Sequence, residues 1–573
     1  MASAGTRYLL FNPTMIKLRL YRFIICFFTL LIAGEAYSQH ALKNPIMPGF
    51  YPDPSILKVN TDYYLVNSTF SYFPGIPVFH SKDLQNWKQI GNVIDRPSQM
   101  DFVGEQVSRG LFAPAINYHK GVYYVTCTDI DNGGNFVVTA KNPAGPWSDP
   151  VMLPRARGID PSLFFDADDK AYIIYNSDAP DNKPLYSGHR TIRMFEFDFR
   201  NLKLIGEEIQ LVNGGVDLTK KPVWIEGPHI YKRDGFYYLM AAEGGTSVNH
   251  TEVILRSKNV KGPYIPYEKN PILTQRHLDP NRKNPITSAG HADLVEGPDG
   301  NTYAVFLAVR PYQADLYNTG RETFIAPVKW IDGWPVINPD NEEIQYSYPV
   351  SFKEVKQKNA LPITGNFEHK FKFKDLFNSH FLFLRTHDAS WYRLKKGELT
   401  MNLLPETIMG RGNPAFIARR QQHLNSTAYT AMQFSTKKEN EKAGLTIFQN
   451  EFHFYYICKS FSDGKEVIQL YQGSPKTKGM ELIQQHPLSN NSDKVFLKIE
   501  AAKDTYSFSY AEKKNQWKVL KNDVDGKFLS TNVAGGFVGA LFGVYATSSG
   551  EPSQNTATFK WFGYSGNDKT YTP

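Results

Sequence analysis

The sequence predicts an all-β chain, a five-bladed β-propeller followed by a β-sandwich. Three observations carry this. One short phrase occurs five times in the first three hundred residues, each copy is followed at a fixed distance by an aromatic run, and the phrase stops in the second half, where plain strand alternation replaces it.

The five copies are Asp53-Pro54-Ser55-Ile56, Ala113-Pro114-Ala115-Ile116, Asp160-Pro161-Ser162-Leu163, Gly227-Pro228-His229-Ile230 and His291-Ala292-Asp293-Leu294. Their aromatic partners begin at Tyr63, Tyr123, Tyr172, Phe236 and Tyr303, and the first residue of each phrase precedes its matching tyrosine by 11 or 12 positions. A unit of roughly 50 to 65 residues repeated in this way is the signature of a radial β-array, and five units predict five blades. The innermost strand of every blade lines the channel, so a phrase at constant offset brings all five copies to one axis. Asp53, Asp160 and Glu226 lie at or beside the first position of three copies. Asp-Pro by itself often only starts a turn. Three acids in register are different, because converging carboxylates repel and lose solvation, and a purely structural channel avoids them.

The blades are expected over residues 41–350, with outer-strand turns at Ser81-Lys82-Asp83, Ala140-Lys141-Asn142 and Ser257-Lys258-Asn259. Residues 351–365 read as a linker. Residues 366–573 alternate as short strands, among them Phe381-Leu382-Phe383-Leu384 and Tyr506-Ser507-Phe508-Ser509-Tyr510, at spacings typical of a β-sandwich. This half carries no catalytic constellation of its own.

At 573 residues the chain is long enough for two or three domains. Its 14% aromatic content suits β-structure. The first 38 residues read as a secretory signal, with Met15 as the better initiator: basic Lys17, Arg19 and Arg22, an apolar run from Phe23 to Ala33, then Ala36-Tyr37-Ser38. Secretion or export to a periplasm follows. The formal charge of +8 falls to +5 without that segment, which holds four basic residues and one acid. No Lys/Arg run stands beside stacking aromatics, so nucleic acid is not an expected partner. The apolar run is too short to span a bilayer. Cys127 and Cys458 fall in different predicted domains, which argues against a disulfide. The oligomeric state is left open.

With no metal-type His/Cys cluster and no Ser-His-Asp pattern, paired carboxylates are the natural catalytic reading. Glycosidic bonds are commonly cleaved by two such groups, one protonated and one ionised. Neighbouring carboxyls push their pKa values apart, as that division of labour requires.

The segments Phe50-Tyr51-Pro52-Asp53-Pro54-Ser55, Gly158-Ile159-Asp160-Pro161-Ser162-Leu163, Ile225-Glu226-Gly227-Pro228-His229, Glu243-Gly244-Gly245-Thr246 and Gly290-His291-Ala292-Asp293-Leu294 closely resemble family 43 of the glycoside hydrolases. The second half resembles the β-sandwich of that family's β-xylosidase branch through Arg419-Arg420-Gln421, Ala443-Gly444-Leu445 and Gly535-Gly536-Phe537. The resemblance implies an exo-acting, inverting hydrolase that releases terminal pentose from xylo- or arabino-oligosaccharides, a β-D-xylosidase first and an α-L-arabinofuranosidase second. It implies Asp53 as general base, Glu226 as general acid and Asp160 as the aspartate that orients the acid and adjusts its pKa. Arg310 would contact the sugar beside the scissile bond, with Phe70, Phe112, Thr246 and Phe537 as further substrate contacts. No cofactor is required, although in some members a histidine matching His291 helps hold a calcium ion. Where β-xylosidases of this group often carry tryptophan before Ala-Pro, this chain has Phe112, which puts strict xylose preference in doubt. A sandwich loop at Ala534-Gly535-Gly536-Phe537 is expected to reach the propeller mouth and close one side of the pocket. The Asn-Asp-Pro-Asn and Arg-Asp-Pro motifs of invertase-like propellers are absent.

Overall fold

The structure, a computed structural model, describes residues 1–5 and 40–569 apart from 359, 362, 374, 375, 377–379 and 490–492. The predicted signal segment therefore lies largely outside the described residues.

Five antiparallel blades follow one another, four of them four-stranded and the fourth with a fifth short strand, Leu273–Thr274, and in each the repeated phrase opens or enters the first strand. Those first strands are Ser55–Val59, Ala115–His119, Ile159–Phe165, Glu226–Arg233 and Thr287–Glu296. The aromatic runs form the second strands, beginning at Asp62, Val122, Ala171, Phe236 and Thr302. Alternate residues of these strands pack between blades, as in the layer of Ile56, Leu65, Phe79, Val295, Val305 and Ile325 between the fifth and first.

Polar side chains of the phrase close the ring around the channel. The Ser55 hydroxyl and the Ile56 amide both donate to Asp293 Oδ2, at 2.8 and 2.9 Å, joining the first blade to the fifth. The Ile116 amide donates to Ser55 Oγ at 3.1 Å, and the Thr126 hydroxyl donates to the Pro161 carbonyl at 2.6 Å. Ser162 donates to the Pro228 carbonyl, and Tyr231 donates to Asp293 Oδ1. All five junctions are thus fastened next to the axis. Outside the blades, Ala41–Lys43 pairs antiparallel with Ser347–Pro349, tying together the two ends of the propeller.

The second half folds as two eight-stranded sheets packed face to face. One of them is completed by the propeller, because Tyr72–Phe73 of the first blade pairs with Leu382–Leu384. On its other face this sheet packs Phe416, Phe448, Tyr456 and Leu541 against Phe50, Phe70 and Tyr72 of the propeller. The two halves therefore share backbone hydrogen bonds and an apolar core. Cys127 and Cys458 are buried and free, one in each half.

Candidate active site

The repeat positions the acids through an unusual backbone. Asp53, Asp160, Gly227 and His291, the first residues of four of the five phrases, all have left-handed φ, at 49, 56, 58 and 55°. For a non-glycine residue this costs about 1–2 kcal/mol. In the third, fourth and fifth blades a break in register accompanies it, at Ile159/Ser162, Glu226/His229 and Gly290/Asp293. Such a bulge re-aims side chains that regular alternation would send into the blade interfaces. Gly227 has no room for any other residue, since a Cβ there would come within 2.7 Å of His291 Nε2.

Asp53, Asp160 and Glu226 line one cavity of about 540 Å³ at the channel mouth. Asp53 is buried, and its Oδ2 accepts from the Ser68 hydroxyl at 2.6 Å. The Arg321 guanidinium grips both of its oxygens, at 3.0 and 3.4 Å, and so supplies a counter-charge. Asp160 Oδ2 accepts from the Gly227 amide at 3.2 Å and is thereby fastened to the backbone next to Glu226. Burial, reinforced by the negative charge of Asp53, pushes the Glu226 carboxyl up to about 7, against the opposing pull of Arg321 and Arg190. Burial also holds Asp160 well above the usual carboxylate range, with Glu226 and Asp53 adding to it. Desolvation and like charge thus favour protons on the Glu226–Asp160 side, while Asp53 sits against a cation.

Phe70, Phe112 and Phe537 form an aromatic wall. Phe70 and Phe537 stack at 5.9 Å, and Phe112 meets both edge-on at 5.5 and 5.9 Å. The Arg321 guanidinium lies 5.3 Å from the Phe537 ring. Phe537 comes from the sandwich, and its amide donates to Ser108 Oγ of the propeller at 2.9 Å. A Cβ on Gly536 would strike that same serine at 2.2 Å, so glycine is what lets the loop come so close. Thr246 also lines the cavity, its hydroxyl accepting from Arg321 Nη1 at 3.1 Å.

One sequence expectation needs correction and a second gains no support. Arg310 does not reach the pocket. It is buried in a bidentate pair with Glu322, at 2.7 and 2.8 Å, and bonds Asp568 of the sandwich at 2.9 Å. Arg321, not Arg310, lines the cavity. The two arginines flank one loop between antiparallel strands in which Ala308 faces Glu322, and the pair with Glu322 turns Arg310 away. The second concerns calcium. His291 does line the cavity, with Nδ1 3.9 Å from Asp53 Oδ1; burial lowers its pKa to about 4, which keeps the ring neutral, and Arg321 already holds both Asp53 oxygens. Calcium needs six to eight oxygen donors. Among the described residues no group of three or more His, Cys, Asp or Glu is placed to hold a metal.

Sequence reasoning missed Arg321, Arg190 and Trp224. None lies in the repeated phrase. Trp224 is 38% exposed at the rim, with a left-handed φ of 55°, and its ring carries the Arg190 guanidinium at 4.6 Å. Arg190 is itself held by Asn176 Oδ1 at 2.8 and 3.1 Å. Trp224 stands two residues before Glu226, a proximity that was the one available signal.

Residues 42–335 match the family model of glycosyl hydrolases family 43, and residues 369–565 match that of the β-xylosidase C-terminal concanavalin A-like domain. The chain belongs to glycoside hydrolase family 43. It is 38% identical over 531 residues to a xylosidase/arabinosidase from Butyrivibrio fibrisolvens, an alignment covering 91% of this chain and 98% of the relative. It is 35% identical to a non-reducing end α-L-arabinofuranosidase from Bacteroides ovatus, covering 95% and 98%. Among solved structures, a GH43_12 protein retrieved from a capybara gut metagenome superposes with a TM-score of 0.82 at 40% identity, covering 90% of this chain and 96% of that one. The family 43 fold and the three channel carboxyls make this chain a glycoside hydrolase.

Proposed function

We propose that this glycoside hydrolase is exo-acting and inverting, and that it removes terminal pentose from hemicellulose-type oligosaccharides, β-D-xylose first. In the proposed reaction Asp53 takes a proton from water as the water oxygen bonds to the anomeric carbon. The bond from that carbon to the leaving oxygen breaks, and Glu226 gives its proton to that oxygen. Asp160, tied to the Gly227 amide, orients Glu226. The observation that carries this reading is the division of environment: Glu226 pushed up to about 7 by burial and Asp53, and Asp53 itself set against Arg321. Exo action is supported by the wall that Phe537 raises on one side of the cavity. The names of the relatives, a xylosidase/arabinosidase and an α-L-arabinofuranosidase, support pentose as the sugar.

α-L-Arabinofuranoside is the second reading, favoured by Phe112 where a tryptophan would narrow the pocket for a pyranose ring. Aryl β-D-xyloside and aryl α-L-arabinofuranoside assayed side by side test the order, and turnover of neither would sink the pentose assignment. Proton NMR of the first-formed sugar tests inversion, since a retained anomer would exclude Asp53 as activator of water. Export is proposed from the basic and apolar segment ending near Ser38. The N-terminal sequence of the exported protein tests it, and a retained residue 23–33 segment would overturn it.

A further inference from the structure

The two faces of the sandwich differ sharply. The sheet nearer the propeller is covered on both sides, whereas the other sheet turns one face to solvent. On that open face lies a hollow of about 360 Å³, remote in the fold from the catalytic cavity and sharing no residue with it. Its floor is flattened by Gly563, whose missing Cβ would sit 2.4 Å from the Tyr429 ring, so that this ring lies down on the sheet. Tyr429 in turn meets Trp561 edge-on at 5.2 Å. Trp517, from the loop after strand Thr505–Ala511, packs on the small cluster of Phe496, Ala431 and Ala511. Ala431, Trp561 and Phe496 are cross-strand neighbours, with Phe496 also opposite Ala511, so two small residues separate large rings along one row.

Lysines border these rings. Lys370 sits 3.6 Å from the Trp561 centroid, Lys498 sits 5.0 Å from that of Trp517, and Lys514 lines the same hollow. Lys498 is paired with Glu500 at 2.7 Å, and Glu368 is engaged by the Tyr429 hydroxyl at 2.9 Å. Among the described residues, Lys370 and Lys514 make no ion pair. They lie close enough for Lys514, after burial, to help lower the Lys370 pKa. With Lys498 paired to Glu500, Lys370 and Lys514 stand against Glu368 alone in the lining of the hollow, a local excess of positive charge that an anionic ligand would relieve. Flat rings offer stacking surface to the apolar face of a pyranose.

We propose that this hollow is a second glycan-binding site, separate from the catalytic pocket, that takes oligosaccharides bearing a uronic acid. The indoles and Tyr429 would hold the sugar faces, and Lys370 and Lys514 the carboxylate. Such a site tethers the enzyme to an acidic polysaccharide while the pocket trims its ends.

The test is titration calorimetry on the full chain carrying Glu226→Gln, which prevents turnover, with xylo-oligosaccharides of equal length with and without one glucuronic acid branch. The acidic ligand is expected to bind about five-fold tighter at low salt, the size of two exposed charge contacts. That advantage should vanish at about 1 M salt, where the Debye length is about 3 Å. Lys370→Gln with Lys514→Gln should remove the preference while leaving hydrolysis of an aryl pentoside by the otherwise unaltered enzyme unchanged. Trp517→Ala, on a loop, should weaken both ligands. Equal affinity for the two ligands, or a preference that survives the double lysine substitution, overturns the proposal. Because the readout is a difference in binding between lysine variants, failure of the pentosidase reading would show separately, in the hydrolysis assay.

Discussion

The two walls of the catalytic pocket are built in opposite ways. On the propeller side, Asp53, Asp160 and His291 occupy one recurring backbone position, each with the same left-handed φ, inside a ring of inter-blade hydrogen bonds. On the sandwich side, Phe537 arrives on a single irregular loop, held by Ser108 and by the close approach of Gly539 to Gly320. A Cβ on Gly539 would come within 2.5 Å of the Thr319 carbonyl, one residue before Gly320 and two before Arg321. The difference teaches where precision is needed. The proposed acid–base groups sit on the over-determined repeat, while one ring of the aromatic wall, Phe537, comes from outside the repeat.

The largest test of that division removes the sandwich altogether. Ending the chain near residue 360 would strip the strand pairing Phe383–Phe73 and uncover Phe50, Phe70 and Tyr72. The expected outcome is an aggregating product with no measurable turnover. A soluble, fully active propeller would break the claim that the two halves form one enzyme. Next come the acids. Asp53→Ala and Glu226→Ala should each lower kcat/KM about 10²–10⁴-fold on oligosaccharides with little change in Tm. Glu226→Ala should be partly spared on aryl glycosides whose leaving group needs no proton. Near wild-type rates for both variants on oligosaccharides would remove the acid–base assignment.

The two arginines flanking residues 311–320 sharpen the comparison further. Arg321→Lys should lose about 10²-fold in kcat/KM, because misplacing Asp53 by a fraction of its contact distance spoils the attack geometry. Stability should hardly move. Arg310→Met should do the reverse, destabilising the fold by about 3–5 kcal/mol through the stranded Glu322 and Asp568. Equal losses of activity and stability in both variants would erase the distinction between them. A smaller effect follows from pH. Glu226 must be protonated to act and is pushed up to about 7, so kcat/KM should fall about ten-fold per pH unit above that point. Stability carries the same sign, since a carboxyl raised on folding costs the folded state more as pH climbs from its ordinary range to about 7. A pH–rate profile flat to pH 9 would dismiss Glu226 as the acid.

Much of the fold was legible because repetition amplifies weak signals. A single Asp-Pro says little, but five phrases at one offset fix the number of blades, their inner strands and the convergence of Asp53, Asp160 and Glu226. The left-handed backbone that aims those side chains was not legible, because Asp, Gly and His tolerate positive φ at ordinary turns too, as Asp169, Asp234 and Gly235 do here. Arg321 was missed for a related reason. It stands just before the third strand of the fifth blade, Glu322–Ile331, which carries no repeated phrase, and only the burial of Arg310 with Glu322 shows which of two nearby arginines lines the pocket. The strand shared between the halves was equally hidden, since Tyr72-Phe73 reads as loop until Leu382–Leu384 is beside it.

The smallest expected effect is also the one that addresses the sandwich wall alone. Phe537 stacks on Phe70 and lies under Arg321, and it is only partly buried, so it has ring surface to offer a ligand. Removing the ring takes away one aromatic contact, worth about 0.5–1.5 kcal/mol, and should raise KM about three- to ten-fold on disaccharides. Because the ring touches neither Asp160 nor Glu226, kcat should stay within about two-fold. The same substitution opens that side of the cavity, so the ratio of terminal release to internal cleavage should fall on longer oligosaccharides. Phe537→Tyr keeps the stacking surface and should behave as the parent. A Phe537→Ala enzyme with unchanged KM and unchanged products, but a lowered Tm, would return this residue to the sandwich core and leave the pocket to the propeller alone.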